Sequence, residues 1–378
     1  MSLVLDEHRR YLADTARLDA FDAALTATVQ PGDVVLDLAS GTGILGLLAC
    51  KAGARRVYAI EVGGIVELAR ELARANGFGD RIVGIRELAS RATLPEQVDV
   101  IVTDMAGRFG FDGGIIETLS DARRRFLKPN GRVIPRTLTL SIAPVDAREP
   151  SEHVRFWSEP VRGLSFAPAQ IIARSTGYPR HLQPQEFVAP PTDIVVLDPS
   201  IATRSFSARA AFVADRAATV HGIGGWFSAE LAPGITLTNA PGAPNRINRR
   251  NVFLPLREAV AVSAGDAISV SIFIRPAALI VRWRVEVAAA DGTIRHATDA
   301  STFEGMLIPR EDIERTRPAF QPRLTPAGLA RKTVLDLCDG VRTLSDVESE
   351  LLDRHREFFA GRADAAAFVA EVVTRYSH

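Results

Sequence analysis

The sequence predicts an α/β protein. A doubly wound parallel-sheet domain is expected over residues 1–135, an antiparallel β-barrel-like domain with an arm insertion over 136–303, and a small helical domain over 304–378. Three observations predict it. Through the first third, short unbroken apolar runs alternate with amphipathic stretches, the pattern of parallel strands buried on both faces by helices. Past Pro135 the text turns to β-branched residues, Pro and Gly in short alternating segments. Past Phe303 it turns again, to helical periodicity.

In chain order, residues 11–28 carry a helical pattern, and Pro31, Gly32 and Asp33 make a turn into a buried strand at 34–38. A glycine turn follows, then a helix at 44–52 that Gly53 ends. Strand 57–60, helix 66–76 closed by Gly77, and strands 82–85 and 98–103 come next. Helix 115–127 runs into Lys128, Pro129, Asn130 and Gly131, which read as a turn leading to Val133. In the middle third, residues 137–142, 194–197 and 267–274 alternate as half-buried strands of a barrel or sandwich. The Pro-rich stretch 179–191 reads as a loop or inserted arm. A connector at 309–326 leads to helices over 329–377, with amphipathic faces at 347–355 and 363–376.

Bulk properties narrow the function classes. A chain of 378 residues exceeds one hydrophobic core and implies two or three domains. Its formal net charge is zero, so no global field draws it to nucleic acid or lipid. Cys50 and Cys338 are the sole cysteines, too few for a disulfide framework or a cysteine-built metal site. The first ten residues are charged rather than apolar, unlike a signal peptide, and no apolar stretch is long enough to span a bilayer. A cytoplasmic protein is expected.

The glycine turn from Asp37 to Gly43 carries the first functional reading. Glycines let the backbone approach a ligand closely, and the helix start offers free N–H groups and a positive dipole end. Glu61 ends the next strand, placed to take both hydroxyls of a ribose. Gly46 completes a third glycine position, so the glycines alone leave a nicotinamide dinucleotide open. The wider text from Val34 to Glu61 resembles the first motif of class I S-adenosylmethionine-dependent methyltransferases, and in particular the protein arginine methyltransferase family, down to Lys51, Ala52, Gly53 and Ala54. The resemblance implies a Rossmann-like domain that binds S-adenosyl-L-methionine. By it, Asp37 supports the turn, Gly41, Thr42 and Gly43 pass along the methionine part, and Glu61 binds ribose. Upstream, His8 to Arg17 is similar to a helix of that family, which implies that Arg17 pairs with the cofactor carboxylate and His8 closes over the cofactor. The adenine-contacting glutamate of the family falls at Ser90.

After the fourth strand, Thr103 to Ile115 resembles the family loop whose two glutamates hold a substrate guanidinium. Asp104 matches the first, one methylene shorter; the second position is Gly113, with Asp112 one place early. Asp104 and Asp112 are therefore the catalytic candidates. The family's Thr-His-Trp loop is replaced by Arg246, Ile247 and Asn248, and Arg246 and Arg249 add positive charge there. His221, in β-domain text that still resembles the family, reads as a buried structural histidine. These departures point to N- or O-methylation of a peptide or small natural product. Protein arginine N-methylation and a non-catalytic cofactor-binding scaffold are the alternatives. The family's dimerisation arm corresponds to residues 161–191, which implies a homodimer. Finally, Leu324–Gly328 and Val334–Val347 look like the helical half of PqqD-type winged-helix domains, which bind leader peptides by adding a strand to a sheet edge.

Overall fold

The structure, a computed structural model, describes residues 4–377. It forms two compact units, Met1–Met306 and Leu307–His378.

The first unit begins with α1 (Val4–Leu12) and α2 (Thr15–Thr28). The pattern expected as one helix from residue 11 is thus broken at Ala13–Asp14. The reason is local: the Asp14 carboxylate caps α2 by accepting the Arg17 N–H at 3.3 Å. The parallel sheet then follows: β1 (Val34–Leu38), α3 (Ile44–Lys51), β2 (Arg56–Ile60), α4 (Ile65–Ala75), β3 (Ile82–Ile85), β4 (Val98–Thr103), α5 (Ile115–Phe126) and β5 (Leu127–Ile134). The spatial order is β3-β2-β1-β4-β5, with every neighbouring pair parallel. Every position of β1 is buried, which is why its text is an unbroken apolar run apart from Asp37. The order reverses between β1 and β4, so their carboxyl ends open a crevice.

Residues 128–131 do not form the expected free turn. They lie within β5, but the pairing jumps from Val98↔Leu127 to Val100↔Arg132, so they bulge from the ladder. Pro129 has no N–H to give it.

Antiparallel structure occupies the rest of the unit: β6 (Thr137–Val145), the short helices α6 (Arg148–Arg155) and α7 (Ala169–Arg174), then β7 (Tyr178–Arg180), β8 (Thr192–Leu197), β9 (Phe206–Val213), β10 (Ala218–Ala232), β11 (Ile235–Thr238), β12 (Asn251–Val262), β13 (Ala267–Arg275), β14 (Ile280–Ala288) and β15 (Ile294–Ser301). One sheet runs β7-β12-β10-β6-β8 with β11 on β10; the other runs β15-β14-β13-β9. Trp283 of β14 is fully buried and donates its indole N–H to Pro255 O of β12 at 2.9 Å, tying the two sheets together. The Pro-rich stretch 179–191 is not a projecting arm: residues 178–180 pair with β12, and Leu182, Val188 and Ala189 are buried. Exposed apolar side chains lie earlier, at Phe156, Leu164, Phe166 and Ile171 around α6 and α7. His221 is buried in β10, with Nδ1 3.1 Å from Asp146 Oδ1. A single hydrophobic cluster runs from Leu36 and Ile101 of the parallel sheet through Leu138, Leu140 and Phe227 of the antiparallel one.

The second unit holds α8 (Arg310–Arg315), α9 (Pro326–Leu337), α10 (Leu344–Arg354) and α11 (Arg362–Tyr376). Ala330, Val334, Leu351, Ala365 and Val369 form its core. Thr325 and Thr343 cap their helices, the latter in a reciprocal capping box with Asp346. The last three helices fall where helices were expected, and α8 lies within the stretch read as a connector. The described residues of this unit contain no strand, so they offer no sheet edge for strand addition. No helix among the described residues is long and apolar enough to cross a membrane.

Candidate active site

The turn after β1 adopts backbone angles that few side chains tolerate: φ is +55° at Ala39, +54° at Gly41 and +77° at Gly43. Two carboxylates hold it. Glu61, at the end of β2, accepts the Gly41 N–H at 3.0 Å through Oε2 and the Gly63 N–H at 2.7 Å through Oε1. Asp37, fully buried, accepts the Gly46 N–H at 2.9 Å through Oδ2, while its Oδ1 has no partner. Burial pushes the Asp37 carboxyl up to about 7, against the opposing Gly46 hydrogen bond and the Arg17 charge. Gly46 has a packing role, since a Cβ there would lie 3.1 Å from Val57 Cγ1. The third glycine therefore seats α3 against the sheet and carries no preference for a dinucleotide.

Beside the turn lies a cleft of about 920 Å³, lined among others by His8, Arg17, Ser40, Gly41, Thr42, Asp104, Met105, Asp112 and Arg249. That size suits a small-molecule cofactor. His8 packs directly on the turn: a Cβ on Gly41 would come 2.7 Å from its ring. Arg17 is buried, with its guanidinium over the rings of Tyr11 and Phe21 at 5.7 and 5.5 Å. The structure thus brings His8, Arg17, Gly41 and Thr42 to one cleft; Asp37, Gly43 and Glu61 hold the turn and are not part of its lining. Ser90 is not brought there; it sits on an exposed turn outside the cleft lining.

Asp104, at the carboxyl end of β4, is the acidic floor. Its Oδ2 accepts from Arg17 Nε at 2.6 Å and from Arg249 Nη2 at 2.8 Å, both buried pairs. Burial alone would raise this carboxyl, but the Arg249 and Arg17 guanidiniums outweigh it and hold Asp104 below the usual carboxylate range. Asp104 Oδ1 is buried with no hydrogen-bond partner.

Asp112 does not meet Asp104 as a second floor carboxylate. Its Oδ1 accepts the N–H groups of Arg108 and Phe109, both at 2.7 Å, and so closes the loop in which both lie. The family's second glutamate position is shut for a steric reason: a Cβ on Gly113 would run into Met105 O. No side chain fits there unless the loop opens.

The β-domain meets the cleft through the loop between β11 and β12. Asn248 N donates to Asp14 Oδ2 at 2.7 Å, joining this loop to the start of α2. Arg249 reaches Asp104 and also donates to Gly107 O at 3.4 Å. Arg246 donates to the neutral acceptors Leu182 O at 3.3 Å and Asn251 Oδ1 at 3.2 Å, so its positive charge stays at this loop. Sequence reasoning missed Asp14 as the link between the two regions. Its signal was an Asp three residues before Arg17, a helix N-cap pattern.

The residues present fit S-adenosylmethionine. Arg17 is a buried cation on the cleft, Glu61 stands at the strand end and holds the turn, and Ser40 and Asp104, both on the cleft lining, each carry a buried side-chain oxygen without a partner. Sheet order, glycine turn and strand-end acids define a class I S-adenosylmethionine-dependent methyltransferase. The family model described as ribosomal protein L11 methyltransferase (PrmA) matches residues 19–136. Protein arginine N-methyltransferase 6 of Xenopus tropicalis is 29% identical over 286 residues, covering 71% of this chain and 83% of the relative. Protein arginine N-methyltransferase PRMT10 of Oryza sativa subsp. japonica is 38% identical over 143 residues, covering 37% of this chain and 38% of the relative. Two solved structures share the fold. The Trypanosoma brucei PRMT1 enzyme–prozyme heterotetrameric complex with AdoHcy has a TM-score of 0.70 at 23% identity, covering 78% of this chain and 97% of that one. Arabidopsis thaliana protein arginine methyltransferase 10 has a TM-score of 0.69 at 23% identity, covering 79% and 98%. The chain is thus similar in sequence to curated protein arginine N-methyltransferases and shares their fold.

Proposed function

We propose that the chain is a protein N-methyltransferase with arginine as its leading acceptor, the activity carried in the names of its curated relatives. The observation that supports this most directly is Asp104 Oδ1, a buried carboxylate oxygen without a partner on the cleft that also meets the glycine turn. Such an oxygen is costly to leave unpaired and suits an N–H brought by a substrate. When bound, S-adenosylmethionine supplies an electrophilic methyl group on a sulfonium. In this reading Glu61 takes the ribose hydroxyls, and Asp37 supports Gly41, Thr42 and Gly43 along the methionine part. Arg17 turns from Asp104 to the cofactor carboxylate, and His8 covers the site. Asp104 then orients the acceptor nitrogen and accepts the proton it sheds, work that is mostly positioning. Asp112 holds the loop through Oδ1, and Ser90 has no part.

A second reading, methylation of a neutral nitrogen or oxygen on a peptide or small natural product, is favoured by one observation. Arg249 occupies Asp104 and Gly113 admits no carboxylate, so the two-acid fork that suits a guanidinium is absent. Labelled S-adenosylmethionine offered with an arginine-rich protein and a peptide panel separates the two. Label on arginine, lost in Asp104→Ala, supports the first; label elsewhere supports the second. Saturable cofactor binding with no transfer leaves a scaffold. Cofactor binding that is absent, or unchanged by Glu61→Ala, overturns the site assignment.

We also propose a homodimer through the exposed apolar side chains Phe156, Leu164, Phe166 and Ile171. Sedimentation at micromolar concentration should give a dimer for the wild type and a monomer for Leu164→Asp. A wild-type monomer refutes it.

A further inference from the structure

We propose that Arg249 is a specificity-determining residue that competes with an incoming guanidinium for Asp104 and thereby throttles arginine as an acceptor. The inference rests on the reading of Asp104 as the acceptor carboxylate.

Arg249 reaches Asp104 from 145 residues away, through Nη2 at 2.8 Å, the kind of contact an acceptor guanidinium would make. Its seat is built rather than incidental. The side chain is 13% exposed, donates to Gly107 O at 3.4 Å and lies over the Phe227 ring at 5.9 Å. Asp104 also holds its charge: burial would lower the Arg249 proton affinity, but Asp104 outweighs this and raises it.

The two arginines on Asp104 differ in what else they have. Arg17 comes from α2 beside the glycine turn and has the cofactor carboxylate as an alternative partner. Arg249 pairs with no other carboxylate among the described residues and is held to Gly107 O besides. Asp14, which it feels electrostatically, is already engaged by the N–H groups of Arg17 and Asn248. With cofactor bound, Asp104 therefore keeps one internal guanidinium and one unpartnered, buried oxygen, Oδ1. A neutral N–H donor uses that oxygen without penalty. A cationic guanidinium must sit beside Arg249, and like charges placed together in a buried site disfavour the pair strongly.

The test loads wild type, Arg249→Leu, Arg249→Gln and Arg249→Lys with S-adenosylhomocysteine and measures binding of N-methylguanidinium and of an arginine-rich peptide by calorimetry. The Leu and Gln variants should bind both probes about tenfold tighter or better. The Lys variant, which keeps the charge, should show no such gain. The kcat/KM for the arginine peptide should rise in parallel, and S-adenosylhomocysteine affinity should stay within about threefold. The Gln variant keeps a hydrogen bond to Asp104 and guards against a folding defect, read from Tm. Equal or weaker guanidinium binding by folded Leu and Gln variants overturns the proposal, as does an equal gain in the Lys variant. Tighter binding without any methyl transfer instead refutes arginine methylation and leaves the competition standing.

Discussion

Asp104→Ala should abolish methyl transfer and lower the thermal midpoint by on the order of 10 °C. Two guanidiniums converge on one carboxylate oxygen here, at 2.6 and 2.8 Å, and the group carrying it is 10% exposed. Taking away the anion leaves both cations buried without a counter-charge, a loss of about 3–5 kcal/mol. Asp104→Asn keeps an oxygen for one of them and should fall between the alanine variant and the wild type. Transfer should drop at least about a hundredfold in both, because neither offers an ionised carboxylate to the acceptor. Scanning fluorimetry and label transfer, run on the same preparations, check the two halves. A variant with an unchanged midpoint would mean that the arginines are not held by Asp104 in solution.

The second large effect is one of pH. Asp37 carries its proton up to about pH 7 in the fold, against an ordinary value of 3.8, because it is fully buried. The folded state therefore binds more protons than the unfolded chain across this window, so stability is greatest below about pH 4 as far as this group is concerned. It falls as pH rises toward about 7, and levels off above that. At about 1.4 kcal/mol for each pH unit between the two values, the whole window is worth about 4 kcal/mol. Asp104 acts in the opposite sense at the acid end: its lowered value contributes stability that is lost as pH falls below the ordinary carboxylate range. The two windows hardly overlap. Asp37→Asn cannot ionise and still presents an oxygen to the Gly46 N–H. Its midpoint should lose the fall between pH 4 and 7 that the wild type shows, and should exceed the wild type at pH 8. Parallel melting curves for the two proteins across that range would refute the assignment.

Local text carried what depends on neighbours in the chain. The strands of the parallel sheet are short apolar runs between helix signals, so their order along the chain followed from period and length alone. Asp37, Gly41 and Glu61 lie on consecutive elements of one βαβ unit, and their spacing sufficed to bring them together. Contacts made across the fold were not legible. Nothing in the wording near Asp104 says that Arg249 will sit on it, because the pair is closed by sheet packing over 145 residues. Asp112 read as a displaced catalytic acid since spacing reports only distance along the chain; its oxygen turns back to two N–H groups of its own loop. Gly113 shows the same limit. Its meaning is a carbonyl, that of Met105, which no periodicity reveals. The prolines at 179–191 look like punctuation of a loop, yet Leu182 and Val188 are core residues.

Asp14 carries two bonds whose fates are joined. One oxygen starts α2 by taking the Arg17 N–H, and the other anchors Asn248, which immediately precedes Arg249. The helix that carries Arg17 and the loop that carries Arg249 thus hang from a single carboxylate. A change at Asp14 cannot retune one half of the site without disturbing the other. Under the proposed reading, a change of acceptor preference is easier further along the loop, at Arg249, where a side chain can be exchanged and the hinge left alone.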